Sequence, residues 1–306
     1  MLIIGENIHI IAPPVRAAIE SRDAAVIQAM AVRQVEAGAG IVDLNIGPQK
    51  KQGHEVMPWI VEAVQEVVDV PLSLDTINLV AMEEGLKVCK KQATLNSASS
   101  DPARLEPVMS LAARYGARVI ALTMGEHGIP PQADDRAGIA MESLLPTAEA
   151  LGIKPEDVLL DPLVLALNCN QDIATQAIDA IRIFKQLSDP APTTTVGLSN
   201  ISNGCPNEMR SLMNRVYLVM LMAAGLDTAI ADPLDADQNE YIRIVEQRDE
   251  STPVGKLLVA LYDATEAMGE LEESQVDMSD QQQVEIFKTA RVYHNHTLYA
   301  DSYLRV

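Results

Sequence analysis

The sequence predicts a closed (β/α)₈ barrel built as a single domain over residues 1–306. Short, β-rich apolar runs alternate with helical patterns about eight times, and several runs are apolar throughout. Parallel strands buried on both faces have that pattern. Alternation with short connections specifies right-handed crossovers, and eight units in this length favour a barrel over a doubly wound sheet. The sequence contains neither a G-x-G-x-x-G motif after the first run nor a Walker motif.

Eight runs are candidates for the barrel strands, and most end in a polar residue. In chain order they are Leu2–Glu6, Gly40–Ile46, Pro71–Asp75, Ala93–Asn96, Ala117–Thr123, Val158–Asp161, Thr194–Asn200 and Thr228–Asp232.

The helices between these runs carry start and stop signals. Asp23 is placed to cap a helix that ends at Gly38. Asp101-Pro102 opens a second helix that closes at Gly116, and Pro107 predicts that its regular part begins late.

The alternation breaks after the last predicted strand. An apolar helix ends at Gly225 before that strand, and residues 235–285 then hold 14 acidic against 3 basic side chains. We interpret 235–285 as an acidic insertion ahead of a closing helix at Val284–His294. The insertion is expected to be a solvated surface or, alternatively, a docking surface.

Composition excludes several classes of protein. The net charge of −20 would repel phosphate backbones, so nucleic acid is not an expected partner. No apolar run approaches the roughly 18 residues that cross a bilayer. The N-terminus is interpreted as a first strand rather than a signal segment. The three cysteines fit neither a metal site nor a disulfide framework, which favours a cytoplasmic protein with no metal site.

The predicted strand ends contribute carboxylates and amides to one face of the barrel, where barrel enzymes hold their active sites. This ring contains no lysine or arginine, and His9 is its nearest histidine. Each member alone has an ordinary alternative as a helix cap or turn residue. Together they suit a ligand rich in N–H donors, such as a pterin, whose 2-amino and N3-H edge a carboxylate can accept bidentately. The ring comprises Glu6, Asn7, Asp43, Asn45, Asp75, Asn96, Thr123, Asp161, Asn200 and Asp232.

Seven stretches carry a family resemblance in their order and spacing: LIIGENI, VDLNIGP, LSLDTIN, LNS, LDPLVL, VGLSN and GLDTAIADP. With them, the chain resembles the methyltetrahydrofolate:corrinoid-protein methyltransferases, which belong with dihydropteroate synthase to the pterin-binding barrels. The resemblance covers about residues 1–233 and the final helix. GENIH stands where the family commonly has GERIN, and no role is assigned to His9.

The resemblance implies which residues bind and which react. Asp75, Asn96 and Asp161 would hold the pterin of tetrahydrofolate, and Asn200 would hydrogen-bond N5, which carries the methyl group. Further residues expected to contact the cofactor are Asp43, Gly197, Ser199 and Asn203. A corrinoid held by a separate corrinoid protein would exchange the methyl group with N5, and the enzyme would be a homodimer.

The expected chemistry has two alternatives. Without a histidine or lysine in the ring, we expect no single strong general acid, and the Asn200 amide supplies a neutral donor. Dihydropteroate synthesis is the first alternative, although the loop GLSNISNG offers no basic residue for a diphosphate. The second is a non-catalytic pterin-binding subunit of a corrinoid complex.

Overall fold

Eight parallel strands form a nearly closed barrel in the computed structural model, which describes residues 1–305. Their order is β7-β6-β5-β4-β3-β2-β1-β8, and an isolated bridge between Gly197 and Ile230 joins the remaining gap. The predicted barrel is therefore confirmed. The strands are β1 Leu2–His9, β2 Ile41–Asn45, β3 Leu72–Asp75, β4 Thr94–Ser99, β5 Arg118–Leu122, β6 Val158–Asp161, β7 Thr193–Thr194 and β8 Thr228–Ala231.

Helices surround the barrel, and a π-helical turn at Ala140–Leu144 joins two of them. They are α1 Pro13–Ser21, α2 Ala24–Glu36, α3 Gly53–Gln65, α4 Leu79–Val88, α5 Pro102–Tyr115, α6 Ala133–Ile139, α7 Leu145–Ala150, α8 Leu167–Asn170, α9 Gln176–Phe184, α10 Asn207–Ala223, α11 Ala236–Gln247, α12 Pro253–Glu266 and α13 Gln281–Tyr293.

Side chains that alternate along the strands divide the barrel into an apolar floor and a polar mouth. Ile4, Ile41, Ile120 and Leu159 form a buried cluster of their own, separate from the two clusters that pack helices against strands. Along a strand, the side chain two residues after an inward-pointing one also points inward. Two residues beyond Ile4, Ile41 and Leu159 are the carboxyl side chains of Glu6, Asp43 and Asp161, whereas Leu122 lies two residues beyond Ile120.

The start signals place two helices as expected, with one difference. The Asp23 side chain accepts a hydrogen bond from the Ala25 N–H, and Asp101 accepts one from the Ala103 N–H. The prediction of a late regular start near Pro107 is wrong, because α5 begins at Pro102. Burial of the α5 residues that flank Pro107, such as Val108, offsets the one helical bond that a proline removes.

The seventh strand is much shorter than predicted. It covers two residues, and a 3₁₀ turn at Leu198–Ser202 replaces the predicted end at Asn200. Backbone bonds from Asn200 N–H to the Gly197 carbonyl, and from Asn203 N–H to the Asn200 carbonyl, hold this turn. Ser199 and Asn200 therefore lie on a tight turn at the mouth, which local hydrogen bonding fixes.

The eighth barrel helix comes earlier than the sequence indicated. Helix α11 directly follows β8, and the Asn239 side chain donates to the Ala37 carbonyl at the end of α2, which closes the helical ring. The acidic composition of the segment obscured an apolar face formed by Tyr241, Ile242 and Val245, all buried. Within 235–285, α11 and α12 both contribute to the core, and α13 begins at Gln281.

Among residues 1–305, no helix has the combined length and apolar character needed to cross a bilayer.

The segment 235–285 should behave as part of the barrel core in unfolding experiments. Leu258 on α12 is fully buried, whereas Met268 just beyond this helix is 80% exposed. We expect Leu258→Ala to lower the free energy of unfolding by about 2–5 kcal/mol in urea titrations. Met268→Ala should change it by less than about 0.5 kcal/mol. Similar small losses in both variants would contradict a core role for the segment.

Candidate active site

The mouth of the barrel holds five carboxylates above the apolar floor. Two of them are almost fully buried, since Asp43 is 4% exposed and Asp161 is 6% exposed. The five are Glu6, Asp43, Asp75, Asp161 and Asp232.

Asp43, Asp75 and Asn96 come together on three neighbouring strands. The Asn96 amide donates to Asp43 Oδ1 at 3.3 Å, and the Asn45 amide donates to Asp75 Oδ2. Asn45 is itself fixed, because its Oδ1 accepts from the Gly47 N–H at 3.0 Å and closes a turn with a positive φ at Gly47. The three predicted pterin contacts on β2, β3 and β4 therefore form one cluster.

Burial raises the pKa values of the carboxyls in this cluster. The pKa of Asp75 rises to about 6, mainly through desolvation and against the stabilising bond from Asn45. The pKa of Asp43 lies well above its usual range, first through burial and then through repulsion by the neighbouring Asp75 carboxylate. The two carboxyls cannot both be charged at low cost without a donor-rich partner.

Asp161 forms a separate part of the site on β6. Its Oδ1 accepts from the Leu163 N–H at 2.7 Å, and Leu163 adopts a φ of 67° to supply it. The buried Arg136 guanidinium holds this turn by donating to the Pro162 and Leu163 carbonyls at 3.0 and 3.4 Å. Burial raises the pKa of Asp161 to about 7, although the Leu163 bond and the Arg136 charge both lower it.

The opposite side of the mouth brings the ends of β1, β8 and the 198–202 turn together. The Ser199 hydroxyl donates to Glu6 Oε1 at 2.5 Å, and the Asn7 amide donates to Asp232 Oδ1 at 3.0 Å. Burial is the main cause that raises the pKa of Glu6 to about 7.

Asn200 and Asn203 lie exposed at the rim and not within the buried ring. The Asn200 side-chain amide makes no hydrogen bond to any residue in the described part of the chain. It lies over Gly197, where a Cβ atom would stand 2.9 Å from Asn200 Nδ2. Glycine at 197 thus leaves room for the amide.

Two features of the mouth escaped the sequence reasoning. Arg210, on α10, folds back to donate to the Ser202 hydroxyl at 3.2 Å and to the Ser199 carbonyl at 3.5 Å. It lies ten positions after Asn200, so strand ends alone do not reveal it. The second feature is the contact between Glu6 and Ser199. Burial lowers the pKa of His9, whose backbone pairs with Asn45. Within residues 1–305, the His9 side chain has no hydrogen-bond partner that would define a role.

Within residues 1–305, no three or more histidine, cysteine, aspartate or glutamate side chains are arranged so that they could hold a metal ion. Carboxylates and amides thus line the carboxyl ends of the strands, where barrel enzymes hold their active sites. Residues 16–232 match the family of pterin binding enzymes, and the chain belongs to that family. The family resemblance recognised in the sequence is thereby confirmed.

Curated relatives include methyltransferases. The chain is 30% identical over 239 residues to a methylcorrinoid:tetrahydrofolate methyltransferase of Eubacterium limosum, a match that covers 78% of this chain and 87% of the relative. It is 29% identical over 206 residues to methionine synthase of Mycobacterium leprae (strain TN), covering 64% of this chain but 17% of that much longer protein.

Solved structures of dihydropteroate synthases share the fold. One in complex with a product has a TM-score of 0.62 at 19% identity and covers 81% of this chain and 93% of its own. The enzyme from Thermus thermophilus has a TM-score of 0.58 at 20% identity, with coverage of 80% and 93%. At this identity, the likeness establishes the barrel fold alone.

The raised pKa of Asp161 predicts a pH-dependent loss of stability. A carboxyl whose pKa is higher in the folded than in the unfolded chain binds more protons when folded. The stability that the protonated Asp161 carboxyl contributes is fully present below about pH 4 and is lost as the pH rises through about 7. Asp161→Asn keeps the acceptor for Leu163. At pH 8 its free energy of unfolding should therefore be roughly 2–4 kcal/mol higher than that of wild type.

Urea titrations at pH 4 and pH 8 measure this difference, which should nearly vanish at pH 4. Asp172→Asn, at an exposed position, is the matched control and should follow wild type at both values. A constant difference across pH would show that Asp161 is not protonated in the folded chain.

Proposed function

We propose that this chain is a methyltransferase that moves a methyl group between N5 of tetrahydrofolate and the cobalt of a corrinoid carried by a partner protein. The observation that carries the proposal is the cluster of the buried Asp43 with the half-buried Asp75 and Asn96, in a chain of the pterin-binding family. The relative from Eubacterium limosum supports the choice of reaction, since its name joins methylcorrinoid and tetrahydrofolate.

The carboxylates account for recognition of the pterin. In this proposal Asp75, Asn96 and Asp161 accept from and donate to the 2-amino, N3 and neighbouring ring atoms. A buried carboxylate makes few hydrogen bonds with water. A bidentate pair of ligand donors therefore restores the hydrogen bonds that burial removed. Asp43, which accepts from the Asn96 amide, orients that amide toward the ligand.

Asn200 accounts for reactivity at N5. Displacement of the methyl group leaves an electron pair on nitrogen, a poor leaving group, and a hydrogen bond there stabilises the transition state more than the ground state. The Asn200 amide lies at the rim beside Gly197 and Ser199, where a ligand held deep in the mouth would present its reacting edge. Asn203 follows on the same turn and would contact the ligand from outside.

The mouth is poorly suited to the diphosphate chemistry of dihydropteroate synthesis. Its five carboxylates face two nearby arginines, and both are already engaged. Arg136 donates to the Pro162 and Leu163 carbonyls, and Arg210 donates to Ser199 and Ser202. A diphosphate leaving group needs concentrated positive charge.

The direct test mixes the purified chain with methyltetrahydrofolate and reduced Co(I) cobalamin and follows methylcobalamin by absorbance. The reverse mixture of methylcobalamin and tetrahydrofolate uses the same groups. Turnover in either direction supports the proposal. Folate binding without turnover in both directions would favour a non-catalytic binding subunit, and turnover of a pterin diphosphate would favour dihydropteroate synthesis.

Asn200→Ala should separate reaction from binding. Loss of one well-placed donor is expected to lower the transfer rate by about 100-fold. The affinity for folate, measured by fluorescence titration, should change by less than about 3-fold, because a transition-state interaction contributes little to binding. Asn207→Ala, an exposed position on α10, serves as the control. Equal losses in affinity and rate would remove the special role of Asn200.

Gly197→Ala should impair the reaction without unfolding the protein. The new methyl group would displace the Asn200 amide, whereas the φ of −80° at Gly197 suits alanine. We expect a change in unfolding free energy below about 1 kcal/mol and a rate loss of roughly 10-fold or more. At Gly138 a Cβ atom meets nothing within 4 Å, so Gly138→Ala should keep the wild-type rate. A fully active Gly197→Ala variant would show that the position of the amide does not matter.

A further inference from the structure

Glu6 occupies its place in the mouth through an irregularity in β1. Gly5 pairs with Val42, but Ile8 pairs with Leu44, so β1 carries one extra residue against β2. Bulges of this kind redirect side chains beside active sites. Here the bulge lies at Glu6 and Asn7. It leaves the Glu6 carboxyl against Ser199, the residue that precedes Asn200.

The charged groups that face Glu6 come from β2, from α10 and from the residue that follows β8. Asp232 follows β8 and Asp43 lies on β2, and both place like charge near the carboxyl. Arg210 on α10 is the facing cation, but its guanidinium donates to Ser199 and Ser202 and not to the carboxyl. Glu6 is therefore a carboxyl with one strong hydrogen bond, from a hydroxyl, and with like charges around it. These surroundings suit a group that exchanges a proton near neutral pH.

The proposed reaction requires such an exchange. When the methyl group moves from cobalt to N5, the Co–C bond breaks with its electron pair left on cobalt as Co(I), the N5–C bond forms, and N5 loses its proton. In reverse, Co(I) attacks the methyl carbon, the N5–C pair stays on nitrogen, and N5 gains a proton. Each methyl transfer thus moves one proton at N5, and the neutral Asn200 amide cannot hold it.

We propose that Glu6 holds the proton that N5 exchanges, and that the Ser199 hydroxyl relays it. In this relay Ser199 accepts a proton from the N5 side as it donates its own to Glu6, and the reverse sequence returns it. The inference rests on the proposed methyl transfer and assigns the proton step that Asn200 leaves open. Glu6 precedes residue 16, where the family match begins, so the assignment comes from the contact with Ser199 itself.

The test is the pH profile of single-turnover methyl transfer in both directions. Transfer to folate needs the carboxylate, so the wild-type rate should rise with pH through about 7; transfer from methyltetrahydrofolate should fall over the same range. In Glu6→Gln this pH-dependent limb should disappear, and the rate at pH 7 should fall about 100-fold. Its affinity for folate should stay within about 3-fold of the wild-type value. Glu62→Gln, on the exposed face of α3, is the matched control and should retain the limb.

Two further variants keep the test decisive. Asp232→Asn keeps the acceptor for Asn7 but removes a charge that raises the pKa of Glu6, so the limb should move to lower pH. Ser199→Ala breaks the relay and should flatten the profile even if Glu6→Gln does not fold. A Glu6→Gln or Ser199→Ala profile with an unchanged limb would overturn the role of Glu6 while leaving the methyl transfer standing. Wild-type protein that binds folate but never transfers methyl would overturn both.

Discussion

Burial of carboxylates at the mouth of an apolar barrel is the constraint on which the site depends. Desolvation is the largest cause of the raised pKa values at Glu6, Asp75 and Asp161. The folded chain therefore carries an electrostatic cost that the surrounding helices and strands must offset. In the proposed function, a ligand with several N–H donors would relieve that cost. The same feature that lowers stability at high pH would then favour binding of such a ligand.

Much of the fold follows from local signals in the sequence. Apart from the seventh run, the apolar runs form strands where the pattern places them, as do the caps at Asp23 and Asp101 and the stop at Gly116. The missed elements share a physical cause. Helix α11 has an apolar face of few residues within an acidic sequence, and its packing against the end of α2 is a tertiary contact. No local pattern encodes such a contact.

The site was predictable as a set of residues but not as an arrangement. Strand ends give Asp43, Asp75 and Asn96, because parallel strands bring their carboxyl ends to one face. They do not give the Glu6–Ser199 hydrogen bond, which depends on an extra residue in β1 and on a turn that ends β7 early. Neither irregularity has a sequence signature of its own. The expectation of no strong general acid was based on the absence of histidine and lysine. It did not include the extent to which burial raises the pKa of a glutamate such as Glu6.

The depth of each residue matches the step proposed for it. Asp43 and Asp161 lie buried, where desolvated groups hold a heterocycle most selectively, while Asn200 is exposed at the rim. In the proposed reaction, a corrinoid bound to another protein would meet the barrel at its rim, so the methyl group would be presented there and not deep in the barrel. Glu6 and Ser199, both half-buried, lie between these levels and beside Asn200. In the proposed relay, a proton would pass to and from N5 at this intermediate depth. In the proposed reaction, this separation of binding, proton exchange and methyl transfer by depth would let one barrel serve two bulky cofactors in turn.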